Sequence, residues 1–211
     1  MDKITNVRKT GLYFGSFNPI HNGHLILAEH IVENSDLNQI WFVVSPQNPL
    51  KNQTTLLDNR SRFSLVQTAI EKNDKFFACD IEFHLPVPSY TINTLVYLAE
   101  KFPQRQFVLL IGEDNLVTFD KWKNYNVILE YYQLYVYPRK EIKENKESTE
   151  NMNIHLSLNF LKNHPNVKMI TAPQIEISSS FIRQNIIEGK SIRYLVPENV
   201  RDEIEKYGYY K

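Results

Sequence analysis

Apolar positions along the chain fall into short dense runs, separated by segments where they recur every third or fourth residue. Leu12, Tyr13 and Phe14 open the series. Trp41-Phe42-Val43-Val44 and residues 107–111, which end at Gly112, have no polar face. Runs apolar on both faces read as strands buried inside a parallel sheet. Residues 76–83, 133–137 and 167–171 read as further short strands. Between them, Leu25, Ala28, Ile31 and Val32 recur at helical spacing over about residues 24–33. Phe63, Val66 and Ile70 do the same in a helix that Asp58 caps and that reaches about Lys72. Leu95, Leu98, Ala99 and Phe102 follow Thr91, a second candidate cap. Residues 122–131 and 181–187 read as helices. Pro197 suits the first turn of a last helix reaching about Tyr207. Strands alternating with amphipathic helices predict an α/β fold: a Rossmann-like, doubly wound, mostly parallel sheet with helices on both faces. Residues 1–9 read as a polar tail, and the charged segment 140–153 as an exposed loop. The 211 residues are expected to form one domain.

Charge and cysteine usage narrow the class. Lys plus Arg and Asp plus Glu are both 24, so the formal charge is zero. A protein that coats nucleic acid needs a basic surplus, and no nucleic-acid partner is expected. Cys79 is the single cysteine, which excludes an intrachain disulfide and fits a reducing compartment. The first ten residues lack the apolar core of a signal peptide. No apolar run approaches the roughly 20 residues that cross a bilayer. A cytoplasmic protein with no membrane partner is the expectation.

Doubly wound folds bind ligands at the carboxyl ends of their strands. The first strand-to-helix turn reads Phe14-Gly15-Ser16-Phe17-Asn18-Pro19-Ile20-His21-Asn22-Gly23-His24. Gly15 and Gly23 permit a close backbone approach. The free N–H groups and positive dipole end of the next helix favour phosphate. His21 and His24 are three apart, so both rings share one face of that first turn. Such a pair can donate hydrogen bonds to oxygens that gain charge in a transition state. It could equally be part of a metal site, for which no third ligand is evident, or a structural cap.

Two motifs, in order, resemble the nucleotidyltransferase superfamily that shares H-x-G-H. The first is His21-Asn22-Gly23-His24. The second, Ile177-Ser178-Ser179-Ser180-Phe181-Ile182-Arg183, is similar to I-S-S-T-x-I-R, with Ser180 keeping the hydroxyl. Pro88-Ser89-Tyr90-Thr91, Thr94-Leu95, the run from Leu110 through Gly112 and Asp114 to Leu116, Phe119, Trp122 and Tyr194-Leu195-Val196-Pro197 narrow the resemblance to bacterial nicotinate-nucleotide adenylyltransferases. Two departures stand out. Phe14 stands where that family often has Gly, and Asn18-Pro19-Ile20 where it often has Asp-Pro-Pro.

The resemblance implies a reaction: ATP plus nicotinate mononucleotide gives nicotinate adenine dinucleotide and pyrophosphate, with Mg²⁺ carried by ATP. It also implies roles. His21, His24 and Arg183 are the catalytic set, with His24 nearest the α-phosphate and Arg183 on the β- and γ-phosphates. Gly15, Ser16 and Phe17 offer backbone N–H groups to ATP. Ser179 and Ser180 stand at a second anion-binding helix start, where Ser179 could also serve as cap. Gly112 and Asp114 face the ribose. Arg139 and Lys51 map to basic positions aimed at phosphate, Lys51 on the mononucleotide side. Arg62 matches a family arginine and could equally form a surface salt bridge. Trp122 stacks on the pyridine ring, while Thr91 and the backbone at Trp122 and Lys123 donate to its carboxylate. A nicotinamide-mononucleotide or dual-specificity enzyme and a silent nucleotide-binding sensor are the competing readings.

Overall fold

The computed structural model describes residues 7–46, 56–139 and 159–211. Its centre is a six-stranded sheet in the order β3-β2-β1-β4-β5-β6. The strands are β1 (Arg8–Gly15), β2 (Gln39–Val44), β3 (Phe76–Cys79), β4 (Arg105–Gly112), β5 (Gln133–Tyr137) and β6 (Val167–Met169). Every pairing is parallel. This is the doubly wound order, and the side on which successive strands are added switches between β1 and β4. The helices are α1 (Asn22–Glu33), α2 (Asn59–Ile70), α3 (Thr91–Lys101), α4 (Glu113–Leu116), α5 (Tyr125–Tyr131), α6 (Ser179–Ile187) and α7 (Glu198–Tyr207).

Strand alternation explains the two-sided core. Tyr13, Phe42, Val44, Val108, Leu110 and Tyr135 face the layer formed by α1, α2, α6 and α7. Their neighbours Leu12, Val43, Leu109, Leu134 and Val136 face the layer formed by α3 and α5. Successive strand side chains point to opposite faces, so runs with no polar position are what a doubly covered sheet requires. The polar amino end of β1 differs from expectation. Arg8 and Lys9 belong to the strand and not to a tail, because Arg8 pairs with Arg105 and Lys9 with Gln106 in the ladder. The expected loop 140–153 lies outside the described residues.

Several element boundaries also differ. The strand at 76–83 stops at Cys79, and Ile81–His84 closes into a 3₁₀ turn. Its Ile81 is buried in one core layer, while Phe83 packs against the other. The helix expected from Trp122 begins at Tyr125, because Asn124 is left-handed (φ 53°), a conformation asparagine tolerates. Tyr90, not Thr91, occupies the N-cap of α3, and its side chain makes no capping bond. Asp58 does cap α2, accepting from the N–H groups of Arg60 and Ser61 at 3.0 Å each. Pro197 is the N-cap of α7 and precedes its first turn.

Candidate active site

The turn between β1 and α1 is shaped by one aromatic ring. Phe17 is left-handed (φ 44°) and only 1% exposed. Its ring folds back over Gly15, where a Cβ would stand 2.8 Å from ring carbons. Gly15 is therefore needed for Phe17, whose ring in turn walls one side of His24. The His24 ring meets it edge-on, with centroids 5.1 Å apart.

The two histidines are locked together. His21 is the N-cap of α1, and its backbone N–H donates to His24 Nδ1 at 3.2 Å. With Nδ1 accepting, a neutral His24 carries its proton on Nε2, which becomes a donor. The His21 ring stacks on His24 with centroids 3.6 Å apart and planes 23° apart. Burial, aided by the charge of Arg139, lowers the His21 pKa to about 4. At neutral pH His21 is an uncharged donor–acceptor ring.

A second wall comes from the far end of the chain. Ser178, not Ser179, caps α6, its hydroxyl accepting from Phe181 N–H at 3.2 Å. The Ser179 hydroxyl donates instead to the Pro19 carbonyl at 2.8 Å. Arg183 Nη1 donates to the Asn18 carbonyl at 2.8 Å, and Nη2 to the Ser180 hydroxyl at 3.3 Å. The start of α6 is thus sutured to the first turn. A guanidinium has five N–H donors, so Arg183 keeps capacity for an anion.

The third component lies at the ends of β4 and β5. Arg139 Nη1 donates to Asp114 Oδ2 at 2.9 Å. A Cβ at Gly112 would collide with Asp114 Oδ1 and stand 3.1 Å from Arg139 Cδ, so glycine lets the pair lie against the strand end. Gly15, Ser16, Phe17, His21, His24, Gly112, Asp114, Arg139, Ser179, Ser180 and Arg183 are therefore grouped at one carboxyl edge.

Thr91, Trp122 and Lys123 form a second group at that edge. Thr91 opens α3, whose first turn has no acidic side chain and no side-chain cap. The half-buried Trp122 packs on Phe119, with ring centroids 5.3 Å apart. Lys123 Nζ lies 4.3 Å from the centroid of the Tyr90 ring. Lys51 lies outside the described residues.

Arg62 is neither a phosphate ligand nor a surface salt bridge. It is fully buried, and its guanidinium donates to the carbonyls of Leu57 (2.9 Å), Ser16 (2.5 Å), Ser45 (2.9 Å) and Pro46 (3.5 Å) and to Asn59 Oδ1 (2.7 Å). The signal was in the sequence: Arg62 precedes Val66 and Ile70 on the inward stripe of α2. Burial raises the Cys79 thiol to about 11, so it is unreactive at neutral pH.

An α/β sheet with a stacked histidine pair, two arginines and two helix starts at one edge defines a nucleotide-handling site of the nucleotidyltransferase class. Residues 12–185 match the cytidylyltransferase-like family. The chain is 50% identical over 202 residues to a protein of Cytophaga hutchinsonii, covering 96% of this chain and 98% of that one. It is 51% identical over 203 residues to one of Flavobacterium johnsoniae, covering 96% and 99%. Both bear the name probable nicotinate-nucleotide adenylyltransferase. The chain belongs to the cytidylyltransferase-like family and, within it, to the nicotinate-nucleotide adenylyltransferases. Its fold is also that of Plasmodium falciparum nicotinic acid mononucleotide adenylyltransferase complexed with NaAD, at a TM-score of 0.74 and 22% identity over 96% of this chain and 97% of that one.

Proposed function

We propose that the protein transfers the adenylyl group of ATP to nicotinate mononucleotide, forming nicotinate adenine dinucleotide and pyrophosphate in NAD biosynthesis. The observation that carries this reading is the stacked His21–His24 pair, facing the sutured α6 start across one turn. An oxygen of the mononucleotide phosphate forms a bond to the α-phosphorus of ATP. The bond from that phosphorus to the bridging oxygen breaks, and its electron pair leaves with pyrophosphate. A phosphate nucleophile needs no strong base at neutral pH, so the residues act by positioning and charge stabilisation. His24 Nε2–H donates to the α-phosphate oxygens. Backbone N–H groups of residues 15–17 and the Ser180 hydroxyl hold the remaining phosphates, with Arg183 alongside. Arg139 leaves Asp114 to reach phosphate, which frees the carboxylate for ribose hydroxyls.

Among the described residues no three His, Cys, Asp or Glu side chains converge to cage a cation. The donors present hold anions, which suits Mg²⁺ arriving on the ATP phosphates; there it would neutralise charge on the departing pyrophosphate. On the acceptor side, Trp122 covers the pyridine ring. The uncapped start of α3 at Thr91, with the Lys123 region, receives the carboxylate, since free N–H groups at a helix start favour an anion over a neutral amide. We read all 211 residues as one domain working in the cytoplasm. Among the described residues no helix is long and apolar enough to cross a membrane.

The test is pyrophosphate release from ATP and Mg²⁺ with nicotinate or nicotinamide mononucleotide as acceptor. A preference for the acid is expected. Equal use of both would remove the charge reading of the α3 pocket, and release with neither would remove the function.

A further inference from the structure

A buried carboxylate stands behind the mononucleotide pocket. Glu82 lies on the 3₁₀ turn Ile81–His84 and is 2% exposed. Its Oε1 accepts from the hydroxyl of Thr94, itself 1% exposed, at 2.8 Å. Its Oε2 is sealed from solvent. Burial raises its pKa, against the pull of the Thr94 hydrogen bond. The turn that carries it is pinned on both sides. Ile81 is buried with α3 and β4, and Phe83 stacks edge-on against Phe63 of α2, with centroids 6.0 Å apart.

Its bonded partner Thr94 and its neighbour Ser45 both lead to the site. Thr94 belongs to the first turn of α3, one turn after Thr91. Ser45 follows β2; its N–H donates to the Gly15 carbonyl at 2.9 Å, and its carbonyl accepts from Arg62. The α3 start has no capping side chain to fix its direction. A helix end without a cap frays unless something else holds it. The Thr94–Glu82 bond ties this turn to Ile81–His84, whose Ile81 shares a core layer with Val43 near the end of β2.

We infer that Glu82 is a positioning residue for the acceptor nucleotide: through Thr94 it ties the open first turn of α3 to the pinned turn Ile81–His84, and so holds it in register with the carboxyl ends of the strands. It touches no substrate. A buried carboxylate is costly to leave unpaired, so the bond to Thr94 is strongly favoured once the pair is dry. Selectivity for one substrate then follows from geometry. The α1 turn and α6 are fixed by Arg62, Ser179 and Arg183, so loosening α3 leaves the ATP side in place. The inference rests on the proposed function for the name of the acceptor, but not for the mechanical coupling.

The experiment compares the full chain with Glu82→Ala, Glu82→Gln and Thr94→Val, varying ATP and nicotinate mononucleotide separately. Amide exchange over residues 91–95 is followed in parallel. Glu82→Ala should raise the mononucleotide KM about tenfold while the ATP KM and kcat stay within about twofold, the scale of one buried hydrogen bond. Glu82→Gln keeps an accepting oxygen and should recover most of the loss. Thr94→Val removes the same bond from the other side and should match Glu82→Ala, which keeps the test available if that variant does not fold. Equal rises in both KM values, a fall in kcat alone, or a glutamine variant as poor as alanine would overturn the inference. If the wild-type chain turned over no nicotinate mononucleotide, the functional reading would fall. Unchanged exchange at residues 91–95 in both Glu82→Ala and Thr94→Val would then remove the coupling as well, and faster exchange would retain it.

Discussion

His24 owes its chemistry to a neighbour's backbone. The His21 N–H occupies Nδ1, and this leaves Nε2 to carry the proton of the neutral ring. Replacing His24 with Ala removes that donor and leaves the Phe17 and Tyr13 rings that wall it. Turnover should fall by about 10²–10³-fold, the usual cost of one donor to a developing oxyanion. Steady-state rates with circular dichroism check this; a retained rate in a folded variant would remove His24 from the chemistry. Asn18 shows how a departure from the family pattern is absorbed. Its Oδ1 accepts from Leu57 N–H at 3.1 Å, and its carbonyl receives Arg183. An amide does this work without a negative charge beside the phosphates.

At the scale of elements, Arg62 decides whether the turn after β1, the end of β2 and the start of α2 meet. Five acceptors converge on its guanidinium, and lysine offers at most three donors. Arg62→Lys should therefore lower stability by about 3 kcal/mol, as breaking a buried charged network does. Urea denaturation measures this, and a loss below about 1 kcal/mol, the worth of one ordinary hydrogen bond, would show that the convergence is dispensable. The same elements show what was legible in the sequence. Trp41–Val44 and residues 107–111 were readable because burial on both faces leaves no polar position. The His21–His24 turn and the α6 serines were readable as motifs. Residues 76–83 and 122–124 misled, because apolar and aromatic side chains there serve packing in a 3₁₀ turn and an irregular turn. Periodicity counts apolar residues but not backbone angles. The α2 stripe turns Arg62 inward, but neither its carbonyl partners at Ser16 and Ser45 nor the Thr94 hydroxyl on Glu82 can be read from spacing.

At the scale of the molecule, the buried histidine makes global stability depend on acid. The folded His21 takes its proton at about pH 4, against 6.5 for a free ring. Above pH 6.5 both states are neutral, and His21 contributes no pH dependence. Below it the unfolded chain binds a proton that the folded chain refuses. Stability therefore falls as pH drops from 6.5 towards 4, by about 3 kcal/mol in total. Denaturation midpoints across that window should decline less steeply in His21→Gln than in the wild type, and parallel slopes would contradict the assignment. One further consequence follows from the suture between Ser179 and Pro19. These residues are 160 positions apart, and Arg183 reaches back 165 positions to Asn18. The ribosome delivers the first turn long before α6 emerges from the exit tunnel. A nascent chain can pair β1, β2 and β4 while its nucleotide pocket still lacks a wall. Catalytic competence thus waits for α6, and a product stalled before Ser179 is inactive however well its sheet has formed.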